Sequence, residues 1–350
     1  MSIARALAWR EAERPTLATP GGHPNDAKST VFRAFNGFVE GDPSLVLEVF
    51  GRCLLIHDHS DNPEGDIAKA RAAADEVCAR WPWIDVALWK VRRADEPMLR
   101  NGRLLLGERA ALPKSVVEEG VSYAVDSMVN RDASFYCDTA ALRAWLRRES
   151  EGRSVLNAFA YTGSLGVAAR AGGAARVVQV DRSAKFLAMA RESWTLNGWG
   201  EVARNDLIVD DFFAAVGRMK SRSMLFDTIV VDPPFFSQST AGKVDLVAEP
   251  LRMLDKVQPL AAHGAVIALV NNALFLSGAA WMEALRARCE KGYLSIRATI
   301  DVDPWSRGRL PEGADRSSIA WPSDPAPFVH PTKMVLLDVR RKDERTSNVR

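Results

Sequence analysis

The sequence predicts an α/β protein: a doubly wound, mostly parallel seven-stranded sheet preceded by a smaller α+β domain. Three observations carry this expectation. From about residue 154 strands and helices alternate strictly. The strand segments VVQV and TIVV are unbroken apolar runs rich in β-branched residues, as a sheet covered on both faces requires. The first third follows a different order, β-β-α-β-β. A chain of 350 residues also exceeds one typical domain. The expected division is 1–125 as the small domain, for substrate docking or structure, 126–342 as the large domain, and 343–350 as a frayed basic tail.

In the small domain, LVLEVFG and RCLLIHD (45–58) read as two strands joined through Gly51. The run 68–81 has apolar residues at helical spacing, and 86–93 and 103–108 read as two further strands. This part has no glycine-rich loop and no cluster of catalytic residue types. In the large domain the order is strand SVLN, helix GSLGVAARA, strand RVVQVD, helix SAKFLAMARESWTLNG and a short strand at 207–209. Helix FFAAVGRM, strand DTIVVD, helix LVAEPLRMLDKVQPL (246–260), strand AVIALVNN and helix AAWMEALRARCEK follow. Such Rossmann-like sheets bind ligands beyond the carboxyl ends of their strands, so the motifs below should share one rim. The stretch 303–331, with six prolines and three Trp or Phe residues, reads as a docking loop.

Composition narrows the function classes. At 47% hydrophobic and 26% charged, the chain can bury ordinary cores. A net charge of +2 neither demands nor excludes a nucleic-acid partner. Cys53, Cys78, Cys137 and Cys289 are scattered, without a CxxC pair or metal-ligand spacing. That argues against a disulfide framework or a zinc site and for a reducing cytoplasm. MSIARALAWREAERP reads as a short amphipathic helix, not a signal peptide, and no uncharged apolar stretch is long enough to cross a membrane.

VLNAFAYTGSLG (155–166) runs from a buried strand through a tight turn into a helix, with Gly163 and Gly166 permitting a sharp turn and a close ligand. Asp181 ends the next strand 18 residues after Gly163, where an acid can accept both hydrogen bonds of a ribose diol. A helix N-cap is the structural alternative for Asp181. The turn is neither GxGxxG nor GxxxxGK[ST], so a nucleoside cofactor without phosphate fits best. S-adenosyl-L-methionine is the common one. In DDFF, Asp210 or Asp211 could bind the adenine amino group while Phe212 or Phe213 packs on its ring; Asp211 is favoured, and helix capping would also explain either acid.

Next to such a donor, DPPFF acquires a chemical reading. Pro233 and Pro234 fix φ and remove two amide donors, giving a rigid loop that can present Asp232 and backbone oxygens to a target N–H. Phe235 or Phe236 could stack on a planar base. Methyl transfer is in-line displacement at an activated carbon, so positioning supplies most of the acceleration. Asp232 could hold the nucleophilic nitrogen or take its proton. The fifth strand ends in Asn271 and Asn272, amides suited to a base edge or to Asp232, or simply to a turn.

Together these stretches resemble the class I methyltransferases that make 5-methylcytosine or 7-methylguanine in bacterial large-subunit ribosomal RNA. FRAFNGFVEGDPSLVLEVFGRCLLI (32–56) looks like the family's "RLFNGxxDGLPGLVVDRYGDxLVV" segment, and SFYCDTAALRAWL (134–146) like its "GFFLDQRxNRxxL". NAFAYTGSLGVAARAGGA is similar to "DLFxYTGGFxVxAxxGGA", RESWTLNG to "RENFxLNG" and DPPFFSQS to "DPPxFxxS". The likeness spans roughly 32–275.

By this match Gly163 and Asp181 hold S-adenosylmethionine, Asp138 lies near it, Asp211 binds adenine and Asp232 sits at the reaction centre. The resemblance thus implies a cofactor set of Asp138, Asn157, Phe159, Thr162, Gly163, Asp181, Arg182, Asp211, Phe212 and Asp232. The catalytic set is Asp232, Pro233, Pro234, Phe235 and Asn271, with no metal.

Three departures matter. The family's first loop acid is Asn157 here, and its "DQR" is Asp138-Thr139-Ala140, though Arg143 survives. Where 5-methylcytosine members carry a nucleophilic cysteine, this chain has Asn271 and Asn272, closer to the "SNN" of the guanine-methylating members. The family's N-terminal RNA-binding PUA domain has no counterpart expected here. The reading is a cytoplasmic S-adenosylmethionine-dependent methyltransferase acting on a nitrogen of an RNA base, ribosomal by resemblance, by noncovalent transfer. The alternatives are transfer to DNA adenine, protein or a small molecule, and a non-catalytic cofactor-binding scaffold on RNA.

Overall fold

The computed structural model describes residues 2–18, 30–315, 319 and 321–346. They form two compact units: Met1–Asp138 with Asp303–Ala320, and Thr139–Val302 with Trp321–Arg350.

In the first unit, strands β1 (Val31–Asn36), β2 (Leu45–Phe50), β3 (Cys53–Asp58), β4 (Val86–Val91) and β5 (Arg103–Leu106) form one sheet in chain order. All pairs are antiparallel except β3 with β4. The helix Ile67–Arg80 supplies the crossover that a parallel pair needs, capped by Asp66 through its bond from Lys69 N. Its Ala70, Ala73, Ala74 and Val77 pack with Leu47, Val49, Leu54, Ile56 and Trp89 of the sheet. The hairpin β6 (Ser115–Glu118) and β7 (Val121–Ala124) lies outside that sheet.

Strand β1 is absent from the sequence reading because Arg33 and Asn36 interrupt its apolar pattern. Both are satisfied inside: Arg33 faces Glu48 in register and pairs with it at 2.8 Å. Arg33 Nη1 also donates to Ser306 O at 3.0 Å, and Asn36 Nδ2 to Arg307 O at 2.9 Å. Trp305, in the short helix Pro304–Arg307, sets its ring edge-on to Phe32 with centroids 5.2 Å apart. Fully buried Arg10 pairs with Glu40 at 3.0 Å and donates to Trp305 O at 3.1 Å. These contacts draw 303–320 into the first unit, which the expected boundary at 125 and the docking-loop reading of 303–331 do not foresee; residues 316–318 and 320 of that stretch lie outside the described residues.

The second unit contains β8 (Ser154–Asn157), β9 (Arg176–Asp181), β10 (Leu207–Val209), β11 (Phe226–Val231), β12 (Phe236–Gln238), β13 (Lys243–Asp245), β14 (Ala261–Asn271), β15 (Leu294–Ile300) and β16 (Lys333–Val339). Seven of these form one sheet in the order β10-β9-β8-β11-β14-β16-β15. The pairs from β10 to β14 are parallel, and β16 runs antiparallel between β14 and β15. The doubly wound, mostly parallel seven-stranded sheet is therefore present. Its core includes Leu156, Val178, Val180, Ile229, Val231, Ile267 and Leu269, with Trp281 and Leu285 from a covering helix, Gly278–Cys289. The strand order reverses between β8 and β11, which locates the ligand crevice of such sheets at their carboxyl ends.

Three local expectations are corrected. Helix 246–260 is confined to Arg252–Val257 and a 3-10 turn, because Asp245 ties Ala248 N at 3.0 Å into a turn and Pro250 cannot continue a helix. The segment after DPP is not a plain loop but the hairpin of β12 with β13. The end is not frayed through 345: Asp343 pairs with Arg341 and Arg345, and Arg345 O accepts from His263 N at 2.7 Å. Residues 347–350 of the expected tail lie outside the described residues.

Candidate active site

The turn after β8 is stitched across the switch point. Ala158 N donates to Val230 O at 2.9 Å and Ala160 N to Val180 O at 2.8 Å, so the segment touches both neighbouring strands. Tyr161 (φ 51°) and Gly163 (φ 83°) then adopt left-handed backbone, and the helix Ser164–Ala171 begins. A Cβ on Gly163 would lie 2.4 Å from Ala190 Cβ, and one on Gly166 2.4 Å from Gln179 Oε1. On the Cβ side these glycines thus face protein, and they let the turn seat on β9 and the helix Ala184–Leu196. Gly163→Ala combines positive φ with a clash and is expected to cost about 1–3 kcal/mol. A chemical denaturation curve compared with wild type measures it.

Asp181 is the clamp of this turn. Its Oδ2 accepts from Tyr161 N and its Oδ1 from Ser183 N, both at 2.8 Å. It is not the helix N-cap: Ser183 is, accepting from Phe186 N. Burial pushes the Asp181 carboxyl above its ordinary pKa, against the pull of those two amides. A carboxylate's two oxygens can accept more bonds than these amides supply.

Asn157 is buried inside the sheet, where its Nδ2 donates to Gln179 Oε1 at 3.2 Å and its Oδ1 has no partner. As a direct cofactor ligand it is corrected: a fully buried amide ties β8 to β9 and presents nothing to the rim. Thr162 is buried and Arg182 exposed.

Phe159 joins the first loop to the third. Its half-buried ring stacks on Phe212 with centroids 4.4 Å apart and planes 20° apart. Phe212 is only 4% exposed and belongs to the core, so it backs Phe159 and does not itself offer a face. That corrects its expected contact with adenine. Phe213 is half-buried, with Arg252 5.4 Å from its ring centroid. Asp211 caps the helix Phe212–Ser221 through Phe213 N at 2.8 Å, whereas Asp210 pairs with Arg218.

At the end of β11, Asp232 is partly exposed, Pro233 buried and Pro234 exposed. Phe235 and Phe236 are 45% and 51% exposed. Asn271 is the clearest correction in the catalytic set. At 1% exposure, its Oδ1 accepts from Ala273 N at 2.9 Å and its Nδ2 reaches Leu246 O at 3.4 Å. It forms a turn and does not face the rim. Partly exposed Asn272, whose Oδ1 has no partner, is the amide at this tip.

The sequence reading missed Lys333. Paired in register with Asn271 and 1% exposed, it donates to Ala273 O and Pro331 O, each at 2.9 Å. Burial lowers its pKa to about 8. A lone lysine opening KMVLLDV was the available signal.

Asp138 belongs to the first unit, in the turn Cys137–Thr139. Burial opposes the charge on Arg33, but Glu48 and then Asp138 hold that guanidinium above the ordinary arginine value. Cys137 is 3% exposed in the same unit and ends no strand. Burial pushes the Cys53 thiol up to about 12 and raises those of Cys78 and Cys289. Among the described residues no helix is long and apolar enough to cross a membrane, and no group of three or more His, Cys, Asp or Glu gathers as a metal site.

Comparison with known proteins places these features in a family. A family model described as S-adenosylmethionine-dependent methyltransferase matches residues 102–289, more than half of the chain. Ribosomal RNA large subunit methyltransferase I of Shigella flexneri is 32% identical over 211 residues, covering 59% of this chain and 52% of that protein. YwbD of Bacillus subtilis (strain 168), assigned as a ribosomal RNA large subunit methyltransferase, is 27% identical over 251 residues, covering 71% of this chain and 62% of that one. The chain thus spans little more than half the length of the curated relatives it matches. Among solved structures, a protein assigned as a methyltransferase and complexed with SAH shares the fold with a TM-score of 0.75. It is 19% identical, and the match covers 96% of this chain and 81% of that one.

Proposed function

Because the chain belongs to the S-adenosylmethionine-dependent methyltransferases, we propose that it methylates a nitrogen of an RNA base by direct, noncovalent transfer. The observation that carries this is the rim itself: Asp232, with its prolines and exposed phenylalanine, on the strand next to a loop clamped by Asp181.

The residues fit the cofactor. Asp181 accepts from the Tyr161 and Ser183 amides, and a carboxylate's two oxygens have further acceptor capacity for a ribose diol. The turn lacks both glycine-rich phosphate-binding patterns, which favours a nucleoside without phosphate. Phe159, backed by Phe212, offers a ring face for adenine, and the second oxygen of Asp211 can accept its amino group. Gly163 and Thr162 shape the turn, while exposed Arg182 flanks Asp181. When bound, S-adenosylmethionine supplies a methyl group already activated on sulfonium sulfur.

The chain's own task is then positioning. Pro233 and Pro234 fix the backbone that presents Asp232, which holds the attacking nitrogen and takes its proton. Phe235 lies open to stack on the base. A nucleophilic cysteine has no counterpart after β14, where Asn271 and Asn272 stand; Cys137 is 3% exposed, and burial raises the thiols of Cys53, Cys78 and Cys289. The likeness to ribosomal RNA large subunit methyltransferases supports ribosomal RNA as the acceptor, and with it a cytoplasmic location. Asp138, on the first unit, is proposed as a neighbour of the cofactor through the family resemblance alone.

Incubation with methyl-labelled S-adenosylmethionine and separate pools of total RNA, genomic DNA and cell protein tests the proposal. Label is expected in RNA. Label confined to DNA or protein would replace the acceptor, and tight cofactor binding without transfer to any pool would favour a scaffold.

A further inference from the structure

Pro233 and Pro234 carry no amide N–H, so the segment that presents Asp232 depends more heavily on its flanks for anchorage. On one flank, β11 pairs with β14 up to Val231 and Leu269. On the other, Phe235 O accepts from Leu246 N at 3.2 Å, next to the paired Phe236 and Asp245 of the hairpin. Leu246 O accepts in turn from Asn271 Nδ2 at 3.4 Å, and Asn271 Oδ1 accepts from Ala273 N at 2.9 Å. Lys333 Nζ then donates to Ala273 O and Pro331 O, each at 2.9 Å. A continuous run of bonds thus leads from β16, through the tip of β14, to the residue that follows Asp232 and its prolines.

The run is internal. Leu246, Asn271, Ala273 and Lys333 are at most 3% exposed, and Val244, Leu246, Leu269 and Ala273 share one apolar core. Two of its features exceed what a turn requires. A side-chain turn at Asn271 needs only the Oδ1 bond, yet Nδ2 reaches across to the hairpin. Lys333 is a buried cation that pairs with no acid among the described residues, and burial alone lowers its pKa to about 8. Such a group opposes stability. Here its bonds fall on the backbone at the rim, where local rules are broken in favour of function.

We propose that Asn271 and Lys333 are positioning residues for methyl transfer: neither touches the acceptor, and together they hold the DPPF segment so that Asp232 keeps its place against the attacking nitrogen. This rests on the reading of Asp232 given above. Displacing a reacting group by about 1 Å can slow a reaction about 10²-fold, so a buried strap behind the segment has a direct effect on rate.

Two variants of the full chain test this. Asn271→Asp keeps an oxygen for Ala273 N but sets its other oxygen against Leu246 O. Lys333→Met keeps a long side chain and removes both donors. Hydrogen–deuterium exchange should speed up at the amides of 235–246 in both variants and stay unchanged in β8 and β9, while affinity for S-adenosylhomocysteine does not change. Single-turnover transfer from methyl-labelled S-adenosylmethionine to total RNA should fall about tenfold or more. In an Asp232→Ala background, Asn271→Asp should lose most of its effect on rate, because the placement it secures no longer matters. Unchanged exchange at 235–246, faster exchange with a wild-type rate, or effects of Asn271→Asp and Asp232→Ala that multiply in full each overturn the positioning role. Transfer that Asp232→Ala alone leaves intact overturns the reading of Asp232 beneath it. If the wild type labels DNA or protein and not RNA, the acceptor reading falls, and the same rates on that pool together with the exchange decide the positioning role.

Discussion

Asp232→Ala is expected to lower methyl transfer by about 10²- to 10⁴-fold, the range for removing a positioned general base. Asp232 stands at the end of the central β11, where the buried Pro233 behind it fixes the backbone. Asp232 follows the last strand residue paired with β14, so the change should leave the sheet's backbone ladder in place. Single-turnover rates with saturating cofactor measure the effect, and cofactor affinity should change far less than the rate. Asp232→Asn separates two roles: it preserves a hydrogen-bond acceptor but cannot take a proton. Activity close to wild type in that variant would show that Asp232 only orients the nitrogen.

Asp181→Ala is expected to weaken S-adenosylmethionine binding by at least about 10²-fold, because hydrogen bonds to a charged group contribute ~1.5–3 kcal/mol each and the ribose would lose two. Isothermal titration measures this. The same change strands the amides of Tyr161 and Ser183, which Asp181 now satisfies at 2.8 Å. The turn should loosen and the protein lose stability, even though a costly buried carboxylate is removed.

The raised pKa gives this site a pH signature with a definite sign. The folded state binds the Asp181 proton more tightly than the unfolded chain, so this group's contribution to stability falls as pH rises from its unfolded to its folded pKa. Cofactor affinity moves the other way. It should fall as pH drops through the raised pKa, at a higher pH than an ordinary aspartate would give.

Much of the second unit was legible because its strands are buried on both faces and bounded by glycine, proline and acids. TIVVDPP and RVVQVD announce their own ends, and the structure stops β11 at Val231 and β9 at Asp181. β1 was not legible: its Arg33 and Asn36 look like surface residues until Glu48 and the backbone of 306–307 are brought to them by the fold. The long helix expected at 246–260 failed for a local reason, a side-chain turn at Asp245 followed by Pro250.

At the site, residue types could be read but not their directions. Asn271 and Asn272 are adjacent in sequence, yet one turns inward and the other stays at the rim, a choice made by Ala273 N and Leu246 O. Phe159 and Phe212 are far apart in sequence and stack only because the first and third loops converge. Lys333 carries no motif; only its register opposite Asn271 gives it meaning.

The central claim, noncovalent transfer to a nitrogen of an RNA base, is tested most directly by identifying the product. RNA methylated by the protein with isotopically labelled S-adenosylmethionine would be digested to nucleosides and analysed by mass spectrometry. The account predicts the labelled methyl on a ring or exocyclic nitrogen. A label on C5 of a pyrimidine, accompanied by a covalent protein–RNA adduct that Cys137→Ser abolishes, would contradict it.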